Sequence, residues 1–336
     1  MSNDVFRLEM EEVAPDIFQI HVPSLKAFGR LNSYLIRGNN NSALVDVGYD
    51  ADISKTVFDA ALDKLGISWD SVSILATHAH ADHLGGLERI WKPGMPVFSS
   101  MDDLSQQRRR LRTRFDNFLP PLRAFKKNIP DVGTMLDEEV EAAMYSPRID
   151  APLTTVHDGD VIEIGNYKLE VIETPGHDFC EICFWEPENK IMFSGDHIIE
   201  SITPSIYVEG FDDELGDFFE SLEKVSRYDA KLILPGHGHV FTDIKASTQK
   251  IINHHTRRVD QTFEIVSAGT KEFIAIVYTL LNQPRRIPWE KRSAAGQWKA
   301  VCETIGYLNY LEHRNLVLRT PTNESFEYRI KSHGLG

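Results

Sequence analysis

Cysteine is scarce: Cys180, Cys183 and Cys302 are the only three in 336 residues. They are too few for a disulfide framework, and a reducing, cytoplasmic setting is expected. Long apolar runs are missing as well. None approaches the roughly 18 residues that cross a bilayer, so no membrane span is expected. The first residues, Met1-Ser2-Asn3-Asp4, offer neither a basic stretch nor an apolar one, so no export signal is expected. Positive charge is in deficit, with 36 Lys and Arg against 50 Asp and Glu and a formal net charge of −14. That balance excludes bulk attraction to nucleic acid, while a local basic patch stays compatible with it. The length suggests two domains, or one large domain with an appendage.

What is there gathers at one place. Thr77-His78-Ala79-His80-Ala81-Asp82-His83 puts four metal-capable side chains within six positions. Val72-Ser73-Ile74-Leu75-Ala76 before it suits a buried strand, and Leu84 to Ile90 after it can open a helix. The motif therefore reads as a loop at the C-terminal end of a strand, where open α/β sheets carry their chemistry. His78 and His80, two apart, point the same way in extended backbone. Asp82 and His83 follow where the chain turns and face a second point nearby. Imidazole and carboxylate are ordinary ligands of zinc and similar ions, and four in this order favour a metal loop over a polar turn. One loop cannot close two metal shells. Three later strand-like runs end in glycine with His or Asp: Val171–His177, Ile191–His197 and Leu232–Gly238. Glycine there lets backbone approach an ion closely or take a positive φ.

The order His-x-His-x-Asp-His, then His, Asp and His, over residues 44–240 resembles the metallo-β-lactamase fold superfamily. The resemblance implies an α/β fold, a four-layer αββα sandwich. It implies that His78, His80 and His177 hold one metal ion, that Asp82, His83 and His237 hold the other, and that Asp196 bridges them. Two divalent ions about 3.5–4 Å apart would share a hydroxide, with Asp82 as the catalytic group that orients it and takes its proton. Zinc suits the ligand types first, and iron or manganese is accepted by the same mixed donors. All seven positions are filled, which argues against a non-enzymatic binding protein on the same scaffold. His80 stands where oxygen-reducing diiron relatives carry Glu, which disfavours a redox role. Asp46, in the Asp-x-Gly that the family packs beneath the metal loop, reads as supporting or structural. His197 matches no common ligand position and reads as substrate-facing or structural.

Around this frame, Ile17–Val22, Asn32–Arg37 and Ala43–Gly48 read as strands, with His21 a strand histidine. Residues 52–65 read as a helix, because Ile53, Val57, Ala61 and Leu65 recur every four and Gly66 suits a C-cap. Val161–Ile164 and Tyr167–Ile172 flank Gly165-Asn166 as a hairpin. Cys180 and Cys183 fall in Phe179–Trp185, which reads as strand, where positions three apart face opposite sides; buried structural thiols are expected. Residues 213–227 read as a helix with Leu215, Phe218, Leu222 and Val225 on one side. The helix after Phe241 closes the catalytic domain, with His254-His255 on a solvated face, and His239 points away from His237.

Two regions depart from the frame. Residues 101–150 read as a helical insertion, with Arg108, Arg109, Arg110, Arg112, Arg114, Arg123, Lys126 and Lys127 among apolar residues. It is either a charged hairpin neutralised by its acidic second half or a lid over an anionic substrate. The catalytic domain spans 1–265. Residues 266–336 read as helices Lys271–Leu281, Trp289–Lys299 and Ala300–Arg314, then strands Leu316–Arg319 and Phe326–Ile330. That is a winged-helix-like order, similar to the small domain in the superfamily branch that includes a mitochondrial single-strand endoribonuclease. Such a domain serves as a packing or homo-oligomer module, or it contacts nucleic acid through Arg314, Arg319 and Arg329. The candidate substrates are a small anionic ester, a thioester of glutathione or CoA type, or a lactone, with single-stranded RNA as the alternative. The acidic balance favours the small molecule.

Overall fold

The computed structural model describes residues 8–23, 30–106, 109, 151–206, 208, 210–283, 287–292, 294–323 and 325–331. The basic insertion expected over 101–150 lies mostly outside them, and so do its lid and hairpin readings. The described residues fall into two compact units, one within 1–107, 145–204 and 222–248 and the other within 108–144, 205–221 and 249–336.

The first unit opens as a meander. Strands β1 (Met10–Ala14), β2 (Ile17–Val22), β3 (Leu31–Ile36) and β4 (Ser42–Val45) pair antiparallel in that order. Helix α1 (Asp52–Leu65) then crosses over, and β5 (Val72–Leu75) adds in parallel. Short helices α2 (Ala81–Leu84) and α3 (Leu87–Ile90) lead to β6 (Val97–Ser99) and β7 (Thr154–Thr155), which complete a seven-stranded sheet. A second sheet takes β8 (Val161–Ile164), β9 (Tyr167–Glu173), β10 (Ile182–Glu186), β11 (Ile191–Gly195) and β12 (Leu232–Pro235) in the order β12-β11-β10-β9-β8.

Side-chain alternation decides which face each residue serves. Ile36, Ala43, Val45 and Leu75 of the first sheet join Leu169, Val171, Phe184 and Phe193 of the second in one buried cluster. Tyr34 meets Phe193 edge-on, with ring centroids 5.6 Å apart. The alternate residues Leu35, Leu44, Val72 and Ile74 face the other way, onto Val57, Phe58, Ala61 and Leu62 of α1. Each such side chain contributes roughly 1.5–3 kcal/mol over exposure, so the packed layers form a rigid base for the loops at their ends. This is the α/β sandwich that the resemblance implies. Gly66 caps α1 in the left-handed region at φ 68°, its N–H turned to the carbonyls of Asp63 and Leu62.

Three local readings change. Cys180 precedes β10 instead of lying in it; both it and Cys183 are buried and in no disulfide among the described residues, as structural thiols are. His255, on α5 (Ile244–Ser267) after α4 (Glu214–Val225), is fully buried, its Nδ1 3.2 Å from the Tyr307 hydroxyl, so the His254-His255 pair is not a solvated face. After α6 (Phe273–Leu281), the two helices expected over Trp289–Arg314 are one 20-residue helix, α7 (Ala294–His313), preceded by a single turn at Trp289–Lys291. No proline or cap interrupts 299–300, and buried Val301, Ile305 and Leu308 carry the apolar face through. Strands β13 (Val317–Pro321) and β14 (Phe326–Ile330) form an antiparallel hairpin. Among the described residues, no helix is long and apolar enough to cross a membrane.

Candidate metal centre

The histidine loop leaves the end of β5 and is tied down at once. Thr77 donates its backbone N–H to Asp46 Oδ1 at 2.9 Å and its hydroxyl hydrogen to Asp46 Oδ2 at 2.8 Å. Asp46 itself sits in the left-handed region at φ 58°, a conformation Asp tolerates better than most residues. The Thr77 carbonyl accepts from Ile182 N–H at 2.8 Å, which joins the loop to the second sheet. His80 is extended at φ −62° and ψ 148°, and α2 starts after it, so Asp82 and His83 leave from its first turn.

All seven predicted side chains come together. His78 Nε2 lies 2.9 Å from His80 Nδ1, which lies 3.1 Å from His177 Nε2. His237 Nε2 lies 3.2 Å from Asp82 Oδ2 and 3.7 Å from Asp196 Oδ2. Three donor groups result, His78/His80/His177, His78/His83/Asp196 and Asp82/His83/His237, each with its ligand atoms within 4.8 Å of one another.

The donor chemistry fits a divalent ion. Three imidazole nitrogens converge at His80 Nδ1, and one shared proton cannot satisfy all three, whereas a cation can. His83 Nε2 and Asp196 Oδ1 are buried 3.5 Å apart, and neither has a hydrogen-bond partner among the described residues. Outer partners turn the lone pairs inward. His83 Nδ1–H donates to Asp46 Oδ2 at 2.7 Å, and His237 Nδ1–H donates to the Arg30 carbonyl at 2.7 Å. Glycines make room: a Cβ at Gly236 would come within 2.6 Å of His83 Cε1 and 2.7 Å of Asp196 Oδ1.

Electrostatics keep the carboxylates ionised. Burial alone would raise Asp82 and Asp196, but His83 and His237 outweigh it and hold both below the usual carboxylate range. In return, and against burial, Asp196 and Asp82 raise His237 to about 9, and Asp196 and Asp46 raise His83. Burial, with His83 and His80 beside it, lowers His78.

Other candidates separate clearly. His239 is exposed and joins none of the donor groups, and His197 is fully buried, which removes its substrate-facing reading. His21 Nδ1 contacts Asn32 Oδ1 at 3.1 Å across a strand pair. Sequence reading missed Glu181 and Asp178, both buried against the centre: Glu181 Oε2 is 3.4 Å from His78 Nδ1, and Asp178 Oδ2 is 3.7 Å from His80 Nε2. The available signal was an acid set among apolar residues in Phe179–Trp185, a position where ionisable groups are rarely buried without a task.

The profile described as the metallo-beta-lactamase superfamily matches residues 28–237. The chain is similar to the Bos taurus protein "Acyl-coenzyme A thioesterase MBLAC2", 25% identical over 240 residues, covering 67% of this chain and 79% of that one. It is 22% identical over 319 residues to the Emericella nidulans "Atrochrysone carboxyl ACP thioesterase", covering 87% of each. A solved beta-lactamase domain protein from Burkholderia ambifaria shares the fold, with a TM-score of 0.78 at 19% identity over 96% of this chain and 94% of that one.

Proposed function

The chain belongs to the metallo-beta-lactamase superfamily and is a hydrolase, and from that premise we propose that it is a dinuclear-metal thioesterase acting on a small anionic acyl thioester. The observation that carries the reading is the convergence of seven donors from four separate stretches of chain into three groups, with His78 and Asp196 in the one between the other two. His78, His80 and His177 would hold one ion, Asp82, His83 and His237 the other, and Asp196 would reach both. Zinc suits the set, and iron or manganese is accepted by it. When bound, the ions supply Lewis acidity, activating water near neutral pH and polarising the acyl carbonyl.

The chain's own residues supply the rest. Asp82, ionised beside His237, orients the attacking water and takes its proton at the carboxylate. A C–O bond forms as the C–S bond breaks, leaving a thiolate and a carboxylic acid that gives its remaining proton to solvent. Asp82 returns the proton to the departing thiolate. The thioester class is supported by the two relatives named as thioesterases, which match 67% and 87% of the chain. RNA is disfavoured by two of the three candidate arginines of the C-terminal segment. Arg314 pairs with Asp213 at 2.7 Å and lies over Tyr310, and Arg319 pairs with Glu312 at 3.0 Å and lies over Phe211.

The test runs thiol release from acyl-CoA and acyl-glutathione beside RNA cleavage, with elemental analysis of the same preparation. We expect about two ions per chain, thiol release, and a loss of roughly 10²–10⁴-fold in Asp82→Ala. RNA cut by the wild type but not by Asp82→Ala, with no thiol released, overturns the thioesterase reading. One ion with full activity overturns the dinuclear one.

A further inference from the structure

Glu181 is a buried acid that the reaction scheme above does not use. It is 1% exposed, and among the described residues no Lys or Arg forms an ion pair with it. Oε1 accepts two backbone N–H bonds, from Asp196 at 3.0 Å and His197 at 3.1 Å. Gly195 leaves the space for it, since a Cβ there would come within 2.5 Å of Oε1. Oε2 makes no hydrogen bond and faces His78 Nδ1 at 3.4 Å. A second acceptor meets the same nitrogen: Thr77 Oγ1, whose own hydrogen goes to Asp46, is 3.0 Å from His78 Nδ1. With acceptors on that side, the imidazole proton belongs on Nδ1 and the lone pair on Nε2, which points into the centre toward His80.

We propose that Glu181 is a positioning residue of the metal centre: one carboxylate oxygen holds the backbone that presents Asp196, and the other fixes His78 in its metal-accepting tautomer. The inference rests on the metal-hydrolase reading and deepens it. Buried acids of this kind cost stability unless satisfied, and carboxylates that orient ligating imidazoles change metal affinity about 10–100-fold when removed. A purely structural Glu181, tying the turn before β10 to the end of β11, would do its work through Oε1 alone.

Glu181→Gln separates the two. The amide carbonyl still accepts from Asp196 and His197. The amide nitrogen, however, takes the place of Oε2 and turns its donors on the Nδ1–H of His78. The imidazole is pushed toward the opposite tautomer, with a hydrogen where the metal would sit. Zinc affinity by competition with a chromophoric chelator, and the rise in melting temperature on adding zinc to chelator-stripped protein, are measured for wild type and variant. We expect stripped Glu181→Gln to melt close to stripped wild type, to bind zinc at least tenfold more weakly and to gain less on loading. Equal affinity and equal gain overturn the proposal. If Glu181→Gln does not fold, the same measurements on Glu181→Asp decide: this variant keeps the carboxyl group but draws it back from His78, and wild-type affinity in it overturns the proposal. A wild type that takes up no metal overturns the thioesterase reading as well, whereas a wild type that loads and a Glu181→Gln that loads equally overturn this inference alone.

Discussion

Thr77 gives its hydroxyl hydrogen to Asp46 and receives the Nδ1–H of His78, while Asp46 also holds His83 Nδ1 at 2.7 Å. One carboxylate therefore orients a histidine in two different donor groups, one directly and one through a hydroxyl. Thr77→Val keeps the shape and deletes that link. It should cost about 1–3 kcal/mol in urea unfolding of the stripped protein, because buried acceptors lose their donor, and weaken zinc by about tenfold in chelator competition. Unchanged values in both measurements would show the hydroxyl to be dispensable. The four donors of the histidine loop were legible in sequence because their close spacing is a local signal, and the resemblance supplied His177, Asp196 and His237, each beside a strand-end glycine. Glu181 was not legible, because its partners Asp196 and His197 lie 15 and 16 residues away. His255 was misread because adjacent helix positions look alike until the packing element, here Tyr307, is known.

At the level of elements, strands with clean alternation and the existence of α1 were readable, but the buried face of α1 runs through Val57, Phe58, Ala61 and Leu62 and leaves Ile53 of the expected four-residue period exposed. Boundaries were less so. The expected break inside α7 had no chemical cause, and the start of β10 is set by pairing with β9 at Ile182↔Glu173, which the apolar run around Cys180 does not announce. The cap of α1 offers a clean test of backbone strain. Gly66 has φ 68°, and nothing lies within 4 Å of where a Cβ would stand. Gly66→Ala should therefore lose about 1–2 kcal/mol through left-handed backbone alone, read as a lower urea midpoint, with zinc content unchanged. A midpoint equal to the wild type would mean that the turn relaxes into another conformation.

For the molecule as a whole, the sandwich architecture came with the resemblance that the metal motif carries, and the pairing of its two sheets was not legible, because no local pattern encodes contacts between distant strands. Those contacts are long. Tyr34 Oη donates to the Pro235 carbonyl at 2.8 Å across 201 residues, and Asn32 Nδ2 donates to the same carbonyl at 3.1 Å across 203. They seat the loop that carries His237 against β3 of the first sheet. Pairings of such separation are the slow ones, since loop closure has to precede any gain from contact. The candidate metal centre should thus form late in refolding. Backbone circular dichroism should recover first, and zinc capture, followed with a fluorescent indicator after dilution from urea, should lag behind it. Capture in step with the first recovery of sheet would mean that the histidine loop binds before the two sheets close. In the order expected, a bound ion would act as a quality check: chains with a misdocked second sheet would stay empty and, on the proposed function, inactive.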